Sequence, residues 1–407
     1  MKIRSITCFL HPGWPVDDKR IQQVGTFLQS ARSDFAAAGY EVQTTRLAAP
    51  AFAGIVNPDN GNDVVEFAVQ MEDAALRNGI DYLSIGPALP SSPASFEVIP
   101  VVLRATQNVF AGGQMTTENG EVCLASVRAC AHVIHRAARL DEDGFSNLRF
   151  AALANVPPGA PFFPAAYART GAASENVSFS IANQAANLAH NAFQEAHSLS
   201  DARGRLVTAV EHHAKRLSKI AGALETRFGI TFGGIDFTLA PFPQPELSLG
   251  TALEDLGVPA VGKHGSLAAV AFLADSLDRA RFLRAGFNGV MLPVMEDSVL
   301  AARVEEGHLS IGDLLLYSTV CGTGLDTIPL PGDASIDELY AVLLDVAMLS
   351  LRLNKPLTAR LMPIPGKSAG DPTDFNFSYF ANSSTMPVKA GAINGLLAGN
   401  EQIEVRE

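Results

Sequence analysis

Four segments in the C-terminal half share one pattern: an apolar run meets proline or glycine, and a carboxylate lies in the run or just past it. They are GGIDFTLAPFPQPE (Gly233–Glu246), GVMLPVMEDS (Gly289–Ser298), CGTGLDTIPLPGD (Cys321–Asp333) and TARLMPIPGKSAGD (Thr358–Asp371). Carboxylates so placed suit acid–base chemistry or oxygen ligation of a hard cation. Asp236 lies inside an apolar strand, where a carboxylate needs a donor or a cation to offset its desolvation. It reads as an acceptor of backbone N–H bonds or as a metal ligand or acid/base. Glu296 and Asp297 read as charge at a helix N-terminus or as a metal or substrate site. Cys321 precedes Gly322 and Gly324, which let a backbone approach a ligand closely. Its thiol is a nucleophile in one reading and a small buried hydrophobe in the other. His264, in Gly-Lys-His-Gly-Ser at a helix start, is an acid/base or ligand beside free N–H groups, or a structural histidine near the cap.

Other motifs fail their own requirements. Gly366-Lys367-Ser368 resembles the end of a phosphate-binding loop, but the required first glycine falls on Leu361. Gly322 and Gly324 lack the third glycine of a dinucleotide fingerprint, because that position is Thr327. Cys8, Cys123 and Cys130 read as packing residues, and the adjacent His212 and His213 as structural or solvated.

The elements that must position these residues alternate between strand and helix. Ile3–Leu10, Val42–Arg46, Tyr82–Ile85, Phe96–Leu103, Leu148–Asn155, Ile235–Leu239, Gly289–Val294, Thr327–Leu330 and Leu357–Ile364 read as strands. Two long helices flank a break at Ser200–Gly204. Ile311–Thr319 is ambiguous between helix and strand. Ser335 and Glu338 form a capping box. Such alternation argues for an α/β fold with parallel strands, whose C-terminal ends gather the loops that form a site. A strand-plus-helix unit takes roughly 30 to 40 residues, so the chain holds about ten.

Composition narrows the function classes. The chain has 407 residues, a net charge of −12, 47% hydrophobic and 18% charged residues. That is too apolar for disorder, and the acidic balance disfavours nucleic acid. Asp275 and Asp345 interrupt the most apolar runs, so no membrane span is expected. Nothing reads as a signal peptide, and four cysteines with no CxxC make no disulfide framework; a cytoplasmic protein is expected.

Several segments resemble the DUF711 family, also called UPF0210: GGIDFTLAPFP, GKHGSLAAVAFLADS, GVMLPVMEDS, STVCGTGLDTIPLPGD and RLMPIPGKSAGD, with FFPAAY (Phe162–Tyr167) as an N-terminal anchor. The resemblance implies a ten-stranded α/β barrel of the pyruvate formate-lyase and glycyl radical enzyme type, with a cysteine loop inside the barrel. The chain has no R-V-x-G-[FWY] sequence near its end, so the radical chemistry is not expected.

The resulting expectation is a single barrel domain over residues 1–385 with a tail at 386–407. Cys321, His264 and Asp326 are the catalytic candidates; Lys367, Asp371 and Asp236 the substrate-binding ones. Glu296, Asp297 and Asp236 are the ligand candidates for a divalent cation (Mg²⁺, Ca²⁺ or Mn²⁺). The function expected is an enzyme acting on a small polar metabolite; the alternative is a non-catalytic metabolite- or cation-binding protein. A small-molecule ligand and a homodimer are the expected partners, with neither nucleic acid nor membrane.

Overall fold

Where apolar residues alternate the chain extends, and where they recur at helical spacing it coils. The computed structural model describes residues 1–171 and 176–405. Its first part comprises β1 (Lys2–Phe9), α1 (Asp18–Ala37), β2 (Val42–Ala48), α2 (Gly61–Arg77), β3 (Tyr82–Ala88), α3 (Ala94–Ala105) and β4 (Val109–Gln114). Next come β5 (Glu121–Cys123), α4 (Leu124–Ala137), β6 (Phe150–Ala154), β7 (Ser178–Gln184), α5 (Ala186–Gln194), α6 (Leu199–Phe228) and β8 (Thr231–Ala240). The rest is α7 (Leu249–Asp255), α8 (Ser266–Arg279), α9 (Ser298–Glu305), α10 (Ile311–Ser318), β9 (Gly324–Pro331), α11 (Ile336–Arg352), β10 (Leu357–Ile364) and β11 (Gln402–Glu404).

The fold is mixed α/β around a nine-stranded sheet ordered β8-β7-β1-β2-β3-β4-β6-β10-β9. Strands β1, β2, β3, β4 and β6 are mutually parallel, and β7–β8 and β9–β10 form two further parallel pairs. Both pairs run antiparallel to the first set, at the β1–β7 and β6–β10 seams. The all-parallel expectation is therefore corrected: the sheet is two parallel sets of opposite direction. Among the described residues no ladder joins the edge strands β8 and β9. Residues 283–294, of which Gly289–Val294 was expected as a strand, instead make a single parallel bridge to each edge, Arg284 to Ile235 and Pro293 to Asp326. Here the Ile235 N–H donates to the Leu283 carbonyl at 2.9 Å, and the Val294 N–H to the Asp326 carbonyl at 3.1 Å. Between the bridges, Gly289 lies so close to the Gly322 backbone that a Cβ would meet its nitrogen at 2.5 Å.

Two further expectations are corrected. Phe96–Leu103 lies in α3, because a continuous apolar run does not by itself separate a buried helix from a buried strand. The sheet position goes to β4, which the sequence reading missed along with β7. Ser200–Gly204 lies within α6, whose polar first turn is capped by the Ser198 side chain and whose buried stripe runs from Ala202 to Leu224. The Ser335–Glu338 capping box is present, and a second box, Ser310–Asp313, makes Ile311–Ser318 helical.

Each strand serves two environments because successive side chains point to opposite faces. Ile3, Ile6 and Cys8 of β1, Leu83 and Ile85 of β3, and Leu357, Ala359 and Leu361 of β10 join the helices' apolar stripes in one large core. The opposite face carries Arg4, Thr44, Arg46, Tyr82, Asp236, Thr238 and Arg360 around a cavity. Small apolar clusters flank it, Phe9 with Ala48, Phe110 and Phe163 on one side, and Met295, Met362, Phe375 and Phe380 on the other. Among the described residues no helix is long and apolar enough to cross a membrane.

Candidate functional site

Three arginines reach the cavity from three strands. Arg4 is the extra residue of a β-bulge in β1: Ile3 pairs with Asn183 and Ser5 with Ala182, leaving Arg4 between them without a partner. A bulge re-aims a side chain, and Arg4 joins the cavity lining. Arg46 follows the strand alternation on β2, two residues after Thr44, and Arg360 projects from β10. Each guanidinium lies over an aromatic ring: Arg4 over Tyr379 at 4.7 Å, Arg46 over Phe163 at 5.0 Å and Arg360 over Phe162 at 5.6 Å. Stacking of this kind engages the flat face of the guanidinium and leaves its N–H edge free to pair.

The carboxylates are shared unequally among these cations. Arg360 donates Nε to Asp326 at 2.6 Å and Nη2 to Glu296 at 3.0 Å, and Glu296 also pairs with Arg4. Burial opposes the Arg360 charge, but Asp326 and Glu296 outweigh it and its pKa rises. Burial pushes Asp326 up to about 6 against the pull of Arg360. Arg46 is different. Its Nε donates to the Thr44 hydroxyl at 2.9 Å, and among the described residues it has no carboxylate within ion-pair distance. Burial, and then the neighbouring Arg4, lower its pKa to about 10, so it remains a cation at neutral pH.

Asp236 lines the cavity from β8 and is held by protein donors. It accepts from the Phe287 N–H at 3.0 Å, the Asn288 N–H at 3.1 Å and the Thr238 hydroxyl. Burial raises its pKa against these bonds. Both readings of Asp236 thus meet in one place: it is satisfied by backbone donors and it borders the cavity. Asp297 is a helix cap, accepting from Val299 and Leu300 of α9 and from Ser248, Leu249 and Gly250.

An aromatic loop covers the cavity. Phe377 and Tyr379 are part of its lining, and Phe145 packs against Phe377 at 5.2 Å between ring centroids. The Ala381 N–H bonds to the Met295 carbonyl at 2.7 Å and fixes the loop to the segment that bears Glu296. Asp371 pins the loop's base, accepting from the Ser368 N–H at 2.6 Å. Lys367 lies outside the lining, 3.5 Å from the Asp374 carboxylate.

Of the residues expected at the site, Asp236 and Glu296 line the cavity, and Asp326 supports it through Arg360. Cys321 is buried in the helix-facing core, where desolvation raises its thiol pKa. His264 is exposed in the turn before α8. The carboxylates proposed as cation ligands do not converge. Among the described residues no three acidic, histidine or cysteine side chains gather as a metal ion would need. Arginine and backbone donors occupy Glu296, Asp297 and Asp236 instead. The sequence reading missed Arg4, Arg46 and Arg360, whose signal was a charged residue inside each of the runs KIRSIT, TTRLAA and TARLMPI.

A family described as Uncharacterised ACR (DUF711) matches residues 1–390 of the chain. A UPF0210 protein of Pyrobaculum aerophilum is 30% identical over 356 residues, covering 84% of this chain and 78% of that protein. A UPF0210 protein of Pelotomaculum thermopropionicum is 26% identical over 388 residues, covering 91% and 85% respectively. One from Methanococcoides burtonii is 27% identical over 354 residues, covering 83% and 77%.

Proposed function

The chain belongs to the DUF711 family, and we propose that this member holds a small organic monocarboxylate in the cavity on the inner face of its sheet. The observation that carries this reading is Arg46, a half-buried guanidinium at the cavity with no carboxylate partner among the described residues. A buried charge without a counter-ion is costly, and a planar carboxylate matches the guanidinium fork in two bonds. The charge ledger sets the valence. Three arginines face three carboxyl groups: Glu296 and Asp326 pair with Arg4 and Arg360, and Asp236, held by backbone donors with its pKa raised by burial, is counted as neutral, which leaves one positive charge. A monoanion balances it, whereas a dianion overcharges the site. The cavity volume of about 90 Å³ has room for roughly six to nine water-sized groups, which sets the size of the ligand.

In the same reading residues 283–294 act as a tenth member of the sheet, and the cavity is the interior of a ten-stranded barrel like that of pyruvate formate-lyase. Supporting this are the two single bridges of that segment and the division of strands into opposed parallel sets. Residues 1–385 then form one domain and 386–407 a tail. An enzyme is favoured over a binding protein by Asp236, a carboxyl at the cavity with no cation partner among the described residues and a pKa raised by burial, as suits proton transfer.

The test is calorimetry with butyrate, succinate and inorganic phosphate. Butyrate is expected to bind and to protect the protein thermally, with the two multivalent anions weaker by about tenfold or more. Preferential binding of phosphate, or of none of the three, would contradict the reading. For the enzymatic form, Asp236→Asn is expected to keep binding while abolishing consumption of a turned-over carboxylate.

A further inference from the structure

The cavity has a second polar feature that the carboxylate does not use. Asn183 on β7 lines it and is only 1% exposed. Among the described residues, neither its amide nitrogen nor its amide oxygen has a hydrogen-bond partner. The backbone around it is irregular on both sides. On the β8 side the register jumps from Ala182–Asp236 to Gln184–Ala240, and on the β1 side Asn183 pairs with Ile3 beside the bulged Arg4. Arg4 also leaves Nη1 buried and without a partner among the described residues. A fully buried amide with both ends unsatisfied is rare, because each orphaned group retains its desolvation penalty.

We infer that the ligand carries an amide-type edge, a donor and an acceptor on one planar group, which pairs with Asn183 while its carboxylate meets Arg46. This rests on the carboxylate reading above and narrows it to short acids bearing a carboxamide, a ureido group or a lactam. Two amide edges match in a cyclic pair of N–H···O bonds, and that match is the same whichever way the Asn183 amide is turned. A hydroxyl offers a single atom and satisfies the two ends of Asn183 less well. The aromatic rings of Tyr82, Phe110 and Phe163 supply an apolar wall along such a planar group.

The test compares three monocarboxylates of the same shape and the same number of non-hydrogen atoms. Succinamate ends in an amide, 4-oxopentanoate keeps only the acceptor, and 4-methylpentanoate has neither. Calorimetry on the wild-type protein is expected to rank succinamate tighter than 4-oxopentanoate by about tenfold, because the ketone leaves the Asn183 acceptor unpaired. In Asn183→Leu that preference is expected to vanish while 4-methylpentanoate binds at least as well as before. Equal wild-type affinities for the three acids would overturn the inference and leave the carboxylate reading standing, with water satisfying Asn183. A preference that persists in Asn183→Leu would also overturn it. Binding of none of the three would remove the carboxylate reading, and this inference with it. The wild-type series decides even where the variant does not fold.

Discussion

The two faces of the sheet are built from the same strands and obey different rules. On the helix-facing side Ile3, Leu83, Phe179 and Leu361 sit in a continuous apolar core. On the inner side the same strands offer Arg4, Arg46, Asn183, Asp236 and Arg360, together with unpaired donors and acceptors. The outer face gains free energy for every apolar surface it buries. The inner face retains polar groups that folding alone does not satisfy. Stability and ligand recognition are thus separated by one strand's thickness, and substitutions on the two faces should separate them in the same way.

The largest effect is expected on the outer face. Phe179 is fully buried against Phe27 and Phe232, and Phe179→Ala is expected to cost about 3–5 kcal/mol in chemical denaturation. Ligand affinity of the remaining folded protein should not change. Next is Arg360→Met, which strips the shared cation from Glu296 and Asp326 and should cost about 3 kcal/mol. Adding Asp326→Asn and Glu296→Gln should recover much of that loss, since paired charges are being replaced together; no recovery would show that Arg360 acts through packing alone. Cys321→Ser puts a hydroxyl in the helix-facing core and should cost about 1–2 kcal/mol with unchanged ligand affinity. Loss of binding at full stability would move Cys321 to the site and break the comparison.

The smallest effect is a pH dependence. Asp326 is pushed up to about 6 by burial, above the ordinary carboxylate value, so the folded state holds its proton more tightly than the unfolded chain. Its contribution to stability is therefore full below pH of about 4 and is lost as pH rises through about 6. Urea unfolding of the wild type and of Asp326→Asn across that window should show the difference between them shrinking or reversing as pH rises. Parallel curves would mean that Asp326 titrates normally.

The outer face was legible in the sequence, and the inner face was legible only in part. Apolar runs and the Ser335–Glu338 capping box announce helices and strands because those signals are local. The Phe96–Leu103 run misled because Val101, an apolar residue on the exposed face beside Glu97, hides the helical period. Asp236 and Glu296 were found as carboxylates out of place among apolar neighbours. Arg4 and Arg46 carried the same signal in the N-terminal strands, but an arginine in a half-buried strand is easily read as a solvated residue. Their convergence is tertiary: it depends on a bulge at Arg4 and on strand order, neither of which one sequence displays. Cys321 looked reactive beside its glycines, yet Gly322 serves the close approach of Gly289, and Gly324 that of the Thr358 backbone on β10.

The most direct test of the account is the stability and affinity of Arg46→Met measured together. Arg46 is a half-buried cation whose folded pKa is depressed to about 10, so its charge opposes folding in the unliganded protein. The methionine variant is expected to unfold at the same or a higher temperature than the wild type, and to bind butyrate at least tenfold more weakly. A variant that is destabilised yet binds butyrate as tightly as the wild type would make Arg46 a structural residue and contradict the account.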